Sequence, residues 1–430
     1  MSTVTERATS GELAVSGEPA APPSGMARWR MVGPGIVVAV TGVGAGDLVA
    51  TLVAGNRFGY ALMWAAVLGC VLKIAMSEAV GRWHLATGTT IFEGWRELGR
   101  WTFVYFLIYV VIWGYVYGAT AMSSTGLALA ALFPGLSLQT WAIISGAAGF
   151  LFVAFNRYAL FERVMKFFIG LMFVTVVTLA VLVAPNIGNA LGGLVPTLPE
   201  GAAIYTLGLI GGVGGTITLA SYGYWVNAKG WRTPAWIPMM RFDNRIGYIT
   251  TGIFVIAMMI VGAELLHNTN IALSGGDRGL LDLDEVLRER LGPFVANMFL
   301  VGFAATTFSS ILGVWNGVSL LFADFVARIR GQNPEEEELE RSWAFKAYLF
   351  WLTFPPIPLL FLDRPFALVV AFGALGAFFM PFLAITLLWL LNSRRTPAEW
   401  RSGWVSNGLL VLATVLFLVL AANELERFFG

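Results

Sequence analysis

Residues 33–56 read GPGIVVAVTGVGAGDLVATLVAGN, and the fold is decided by how this stretch is taken. It is apolar enough for a membrane helix, yet Gly42, Gly44 and Gly46 interrupt its middle and Asp47 follows directly. Glycine loses the most backbone entropy on ordering, so three at this spacing work against a continuous helix. In hydrocarbon the freed N–H and C=O groups must find partners, and a broken helix persists only where it lines a wet or ligand-filled cavity. A second stretch, GGVGGTIT at Gly211–Thr218, repeats the pattern inside a later apolar run. Gly-interrupted segments in matching places of two halves point to the substrate site of a transporter. The competing explanation is that the glycines only allow helices to pack closely.

The rest of the chain agrees with a membrane setting. Of 430 residues, 57% are hydrophobic and 12% charged, and the mean hydropathy of +0.74 excludes an ordinary soluble domain. The formal charge of +1 offers no basic field for nucleic acid. A single cysteine, Cys70, excludes an intramolecular disulfide, and two histidines, His84 and His267, are too scattered for a His-rich metal site. No cleavable signal peptide is read in the first 25 residues, whose Ser, Thr, Gly, Pro, Ala and Glu predict a disordered tail.

Eleven apolar runs are long enough to cross roughly 30 Å of hydrocarbon. They lie near 34–55, 59–80, 101–132, 138–155, 163–184, 203–227, 246–266, 293–326, 343–361, 366–391 and 404–424. Lys and Arg gather in alternate loops, at Arg28 and Arg30, Arg82, Arg96 and Arg100, Arg157, Arg163 and Lys166, Lys229 to Arg245, Arg328 to Lys346 and Arg394 to Arg401. This bias predicts a cytoplasmic N-terminus and, with an odd number of spans, a C-terminus outside. The expected organisation is a tail over 1–30, a first repeat over 31–184 (spans 1–5), an inverted second repeat over 203–391 (spans 6–10), and an added span at 404–424. The fold class is therefore an all-α integral membrane protein, a LeuT-type 5+5 inverted repeat with 11 transmembrane helices.

Smaller features have duller explanations. EEEELE at Glu335–Glu340 reads as a solvated charge run, residues 228–245 as an interfacial segment, and Asp277–Glu289 as a short amphipathic helix outside. Lys73, inside the second run, either pairs with Asp47 or, as the preferred expectation, snorkels toward the cytoplasmic surface. Glu78 and Arg82 are spaced as a helix-surface ion pair.

Several local patterns resemble the NRAMP family of metal-ion transporters. They are GPG at 33–35, GRWHLATG at 81–88 with REL at 96–98, Ala119-Thr120, FSSILGVWNG at 308–317 and MPF at 380–382. The resemblance runs from Gly33 to about Asn392 and implies transport of divalent metal. The family's motif residues, however, are replaced. Its first-span DPGN falls on Gly44, Ala45, Gly46 and Asp47, and its A-x-x-MPH of the sixth span on Gly215, Thr218, Leu219 and Ala220. Its acidic pair of the third span falls on Ala121 and Ser124, and a glutamine of the tenth on Gly373.

Four of these changes, Asp to Gly44, Met to Thr218, His to Ala220 and Gln to Gly373, each remove side-chain bulk, which predicts a larger, nearly neutral cavity floored by backbone. The residues expected around it are Gly44, Gly46, Asp47, Gly215, Thr216, Thr218, Ser221, Tyr222, Trp315, Asn316 and Gly373. Asp47 serves as a ligand, as the cap of a half-helix Leu48–Ala54, or as both. Aromatic faces with amides and hydroxyls suit an uncharged polar solute such as a sugar, the leading expectation for the cargo. The alternative is a divalent cation, chiefly hydrated Mg²⁺ and then Mn²⁺, with Asp47 as the acid. A non-transporting membrane sensor is a third class. No enzyme activity, cofactor or nucleic-acid partner is expected, and GVGAGD lacks the βαβ unit of a dinucleotide fingerprint. A monomer in the lipid bilayer is the expected state.

Overall fold

The structure is a computed structural model that describes residues 22, 25–155, 158–212, 214–267, 278–362 and 365–429. Most of the N-terminal tail and part of the loop after span 7 thus lie outside the described residues. Nine described helices are long and apolar enough to cross a membrane. The other two spans are broken. Span 1 consists of Pro34–Thr41 and Ala45–Phe58, and span 6 of Ala203–Gly212, the 3₁₀ turn Ile217–Ser221 and Tyr222–Ala228. Between and after them run span 2 (Met63–Thr87), span 3 (Arg100–Leu132), span 4 (Leu138–Phe155), span 5 (Tyr158–Leu182) and span 7 (Ile237–Leu265). The chain ends with span 8 (Pro293–Ile329), span 9 (Trp343–Thr353, extended by Ile357–Phe361), span 10 (Pro365–Asn392) and span 11 (Trp404–Phe429).

Spans 3 and 8 hold 33 and 37 residues, about 50 and 55 Å at 1.5 Å per residue, so both tilt or project beyond the bilayer. Span 7 begins at Ile237, so half of the segment expected to lie at the interface is helix. The outward faces are apolar at helical spacing, as Val104, Ile108 and Ile112 on span 3 illustrate. Such a stripe faces lipid, where a soluble protein would present polar groups.

Glycines bring the helices close to one another. A methyl group on Gly55 of span 1 would overlap the Met259 carbonyl of span 7, and one on Gly262 of span 7 would lie 2.7 Å from the Leu52 carbonyl. Close packing and helix breaking therefore coexist in this chain.

The ends assigned to the cytoplasm by the charge bias are held by carboxylates. Asp243 of span 7 is fully buried and accepts the Gly33 and Gly35 N–H groups at the start of span 1, together with the Tyr222 hydroxyl at 3.2 Å. It satisfies orphan donors of a helix N-terminus, where a carboxylate is also favoured by the dipole. Asp324 accepts from Tyr224 at 2.6 Å and from Arg328 at 2.9 Å, and Arg328 reaches Glu93 at 3.3 Å. Glu162 joins Lys166 and Lys229. Glu78 pairs with Arg82 at 3.1 Å and also with Arg241 at 2.9 Å, so it ties span 2 to span 7 as well as decorating one helix. Sequence reasoning did not single out Asp243, Asp324 or Glu162. Their signal was an acidic residue inside or at the end of an apolar run.

Candidate functional site

The two breaks meet. Span 1 leaves helical geometry after Thr41, and Gly42 lies so close to span 6 that an added methyl would overlap the Gly214 carbonyl carbon and the Gly215 nitrogen. Span 6 turns through Gly214 at φ +77° and Gly215 at φ +89°, the left-handed region that side chains rarely enter. Behind the first break, a methyl on Gly313 of span 8 would overlap the Thr41 hydroxyl, so span 8 also packs closely against the end of the first half-helix.

A cavity of about 40 Å³ lies at this point, lined by Gly42, Gly44, Gly215, Thr216, Thr218, Trp113, Val314, Ala121 and hydroxyl-bearing neighbours. Those neighbours are Thr41, Tyr117, Thr120, Ser124, Thr307 and Ser310. Most of their protons are committed. Thr41 donates to Val37 O at 2.6 Å, Thr120 to Val116 O at 2.9 Å, Ser124 to Thr120 O at 2.8 Å and Thr307 to Phe303 O at 3.0 Å. Ser310 donates across helices to Thr41 O at 2.8 Å, which makes Tyr117 the donor in its 2.7 Å bond to Ser310. A hydroxyl whose proton is spent on a carbonyl keeps lone pairs, so these oxygens can only accept from whatever enters. Thr218 is 2% exposed, and its oxygen finds no hydrogen-bond partner among the described residues. A buried polar atom without a partner is costly unless something else meets it.

Gly44, Gly215, Thr216 and Thr218 are thus brought together, and Ala121 and Ser124 line the same cavity. Ser221, Tyr222, Trp315 and Asn316 do not line it. Ser221 packs against Gly317, and Tyr222 donates to Met240 O and Asp243. The Trp315 indole donates to Thr353 at 2.7 Å, and the Asn316 amide oxygen accepts from Trp225 at 2.8 Å. The partner that a deep asparagine requires is therefore another protein side chain.

The second half-helix of span 1 starts at Ala45, three residues earlier than expected. Gly46 and Asp47 consequently lie in its first turn, and Leu48 N bonds Gly44 O at 3.2 Å, which leaves Gly44 at the cap. The Asp47 side chain, its suggested pairing with Lys73 and the surroundings of Gly373 lie outside the described residues.

Two further expectations are corrected by the geometry. The cavity is small because glycine removes the spacer between backbones. Gly42 and Gly215 approach so closely that a methyl group on either would overlap the other's backbone. About 40 Å³ holds a few waters at roughly 10–15 Å³ each, whereas organic solutes occupy pockets of roughly 300–1,000 Å³. Lys73 does not snorkel. It is fully buried, and its ammonium donates to the carbonyls of Gly211, at 3.1 Å, and Gly215.

Solved structures share the architecture. The manganese transporter of Eremococcus coleocola, crystallised with an aromatic bis-isothiourea substituted compound, superposes with a TM-score of 0.77 at 15% identity, covering 97% of this chain and 92% of that one. MhsT in complex with L-phenylalanine gives a TM-score of 0.57 at 16% identity over 91% of this chain and 98% of its own. Mhp1, a nucleobase-cation-symport-1 family transporter, gives 0.54 at 15% identity over 92% of each chain. The fold is the LeuT-type inverted repeat with eleven membrane helices.

In sequence, the chain is 27% identical over 316 residues to the divalent metal cation transporter MntH of Klebsiella pneumoniae strain 342, covering 71% of this chain and 70% of the relative. It is 27% identical over 260 residues to MntH of Chromohalobacter salexigens, covering 56% and 59%. These relatives, together with the family match, overturn the expectation of a sugar-like, uncharged cargo, and the small acceptor-lined cavity gives the physical reason. The family described as natural resistance-associated macrophage protein-like matches residues 35–425, and the chain belongs to this Nramp family.

Proposed function

We propose that this integral membrane protein carries a divalent metal cation across a bacterial cytoplasmic membrane by alternating access about the breaks of spans 1 and 6. One observation carries the cation reading. The oxygens around the cavity have turned their protons to backbone carbonyls and face inward as acceptors, with the Thr218 oxygen still without a partner among the described residues. Hydroxyl, carbonyl and water oxygens suit hard cations such as Mg²⁺ and Mn²⁺, and no thioether lines the described cavity to favour softer metals. The names of the MntH relatives and of the manganese transporter support the same class.

In this proposal Asp47, in the first turn of the half-helix Ala45–Phe58, supplies the negative charge, Gly44, Thr216 and Thr218 supply oxygens, and Gly215 lines the site with its carbonyl bonded to Lys73. The cavity volume then corresponds to an ion that keeps part of its water, as Mg²⁺ prefers to do. Residues 31–184 and 203–391 act as the two inverted repeats, with the N-terminus in the cytoplasm, the C-terminus outside and one chain as the working unit. Uptake of Mn²⁺ and Mg²⁺ into proteoliposomes tests the proposal. Wild-type protein should show saturable uptake of at least one of them and Asp47→Ala should show none. Absence of both uptake and binding in folded wild-type protein would overturn it.

A further inference from the structure

Lys73 stands near the middle of span 2, ten residues from its start at Met63, about 15 Å along the helix. Its stem is too short to bring the ammonium to either surface from that depth. The charge is accommodated in the protein. The ammonium donates to Gly211 O at 3.1 Å and to Gly215 O, and it lies 3.6 Å from the Met380 sulfur and 5.5 Å from the centre of the Phe417 ring.

Carbonyl oxygens, a thioether and an aromatic face are groups that solvate a cation without neutralising it. The Gly211 carbonyl also belongs to the last turn of Ala203–Gly212, where unpaired carbonyls gather the negative end of the helix dipole. Gly215 is held in the left-handed region at φ +89°, which glycine enters without steric cost. Unwound carbonyls and half-helix C-termini are the elements with which transporters of this architecture bind small monovalent ions.

From this we infer that the break in span 6 is a monovalent-cation site that the chain fills with its own Lys73 ammonium, a tethered counterpart of an inorganic coupling ion. The inference is independent of the identity of the cargo. It has two consequences. The break needs no sodium ion to hold its shape, and a fixed positive charge stands one residue from the central cavity, since Gly215 borders both. A purely structural lysine would also satisfy the two carbonyls, so the test must ask whether a free ion can replace it.

The experiment is thermal unfolding of the purified full chain in NaCl, LiCl, KCl and choline chloride at equal ionic strength, without divalent metal. Wild-type protein should melt at the same temperature in all four salts. Lys73→Met, which keeps the stem and removes the charge, should melt lower in choline and recover by about 2 °C or more in NaCl or LiCl, as a ligand of the folded state stabilises it. Lys73→Arg should remain insensitive to the salt. Lys73→Ser, small enough to leave room for an ion and its water, serves as the second variant should Lys73→Met not fold. Equal melting in sodium and choline for whichever neutral variant folds would overturn the inference, as would sodium stabilisation of the wild type as large as that of the variant. Neither result bears on whether Mn²⁺ or Mg²⁺ is carried, so failure here and failure of the cargo proposal remain distinct.

Discussion

In span 1 the helix stops at Thr41 and resumes at Ala45, and Gly42 between them has φ −77°, an angle open to any residue. In span 6 the helix stops at Gly212, and the chain passes through Gly214 and Gly215 at φ +77° and +89° before a 3₁₀ turn. The first break thus needs glycine for proximity and the second needs it for conformation. Their exposed carbonyls are also held differently. Thr41 O receives the neutral Ser310 hydroxyl, whereas Gly214 O receives the Tyr248 phenol at 3.2 Å and Gly215 O receives an ammonium. One break is closed by packing and hydroxyls, the other by backbone dihedrals and a charge. Two breaks that face one another in a pair of inverted repeats are therefore stabilised by different means.

The largest effect should come from the residue that sets the distance between the two breaks. Gly42→Ala places a methyl inside the Gly214–Gly215 backbone, which cannot swing aside as a flexible side chain would. A loss of about 2–3 kcal/mol is expected. Gly44→Ala meets nothing nearer than the Ser310 oxygen at 3.3 Å and should cost under about 1 kcal/mol, mainly through a poorer helix cap. Denaturant or thermal unfolding of the two variants in one detergent checks this. Equal losses would break the assignment of Gly42 to contact.

That contrast marks how far the sequence could be read. The eleven spans and the two breaks were legible because apolar length and glycine interruption are local properties. Thr216, Thr218, Gly44 and Gly215 followed, since a break must expose its own neighbours. The cavity size did not follow, because composition gives side-chain volume but not the separation of two backbones. Gly42 was visible only as a helix breaker, while its contact partner is more than 170 residues away in sequence at Gly214. Lys73 carried a usable signal in its depth within span 2, but its direction depends on where Gly211 and Gly215 stand in space. The same holds for Trp315 and Asn316, whose partners Thr353 and Trp225 lie on other spans.

An intermediate effect is expected at the hydroxyl that closes the first break. Ser310→Ala removes the donor to Thr41 O and the acceptor nearest the Tyr117 hydroxyl. Tyr117 keeps a longer bond to Ser310 O at 3.3 Å, and Thr41 O loses a cross-helix partner. One lost buried bond costs about 1–2 kcal/mol. Because the bond joins neutral groups, the loss should be the same in sodium and in choline, measured by thermal unfolding. A sodium-dependent recovery in Ser310→Ala would erase the distinction between a neutral break and a charged one.

The smallest effect on stability, and the sharpest on function, should come from Thr218. Its hydroxyl is buried against the cavity and makes no bond to a described residue, so Thr218→Val deletes no interaction that holds the fold. Valine keeps the branched shape and removes the cost of an unpaired polar atom, so unfolding should shift by less than about 0.5 kcal/mol in either direction. The oxygen it removes is a cavity acceptor with no bond to a described residue, and a cation passing the cavity would lose that ligand without gaining another. Half-saturating Mn²⁺ or Mg²⁺ in proteoliposome uptake should therefore rise several-fold while the melting temperature holds. A fall in stability with unchanged uptake would move Thr218 from the cargo path into the framework of span 6.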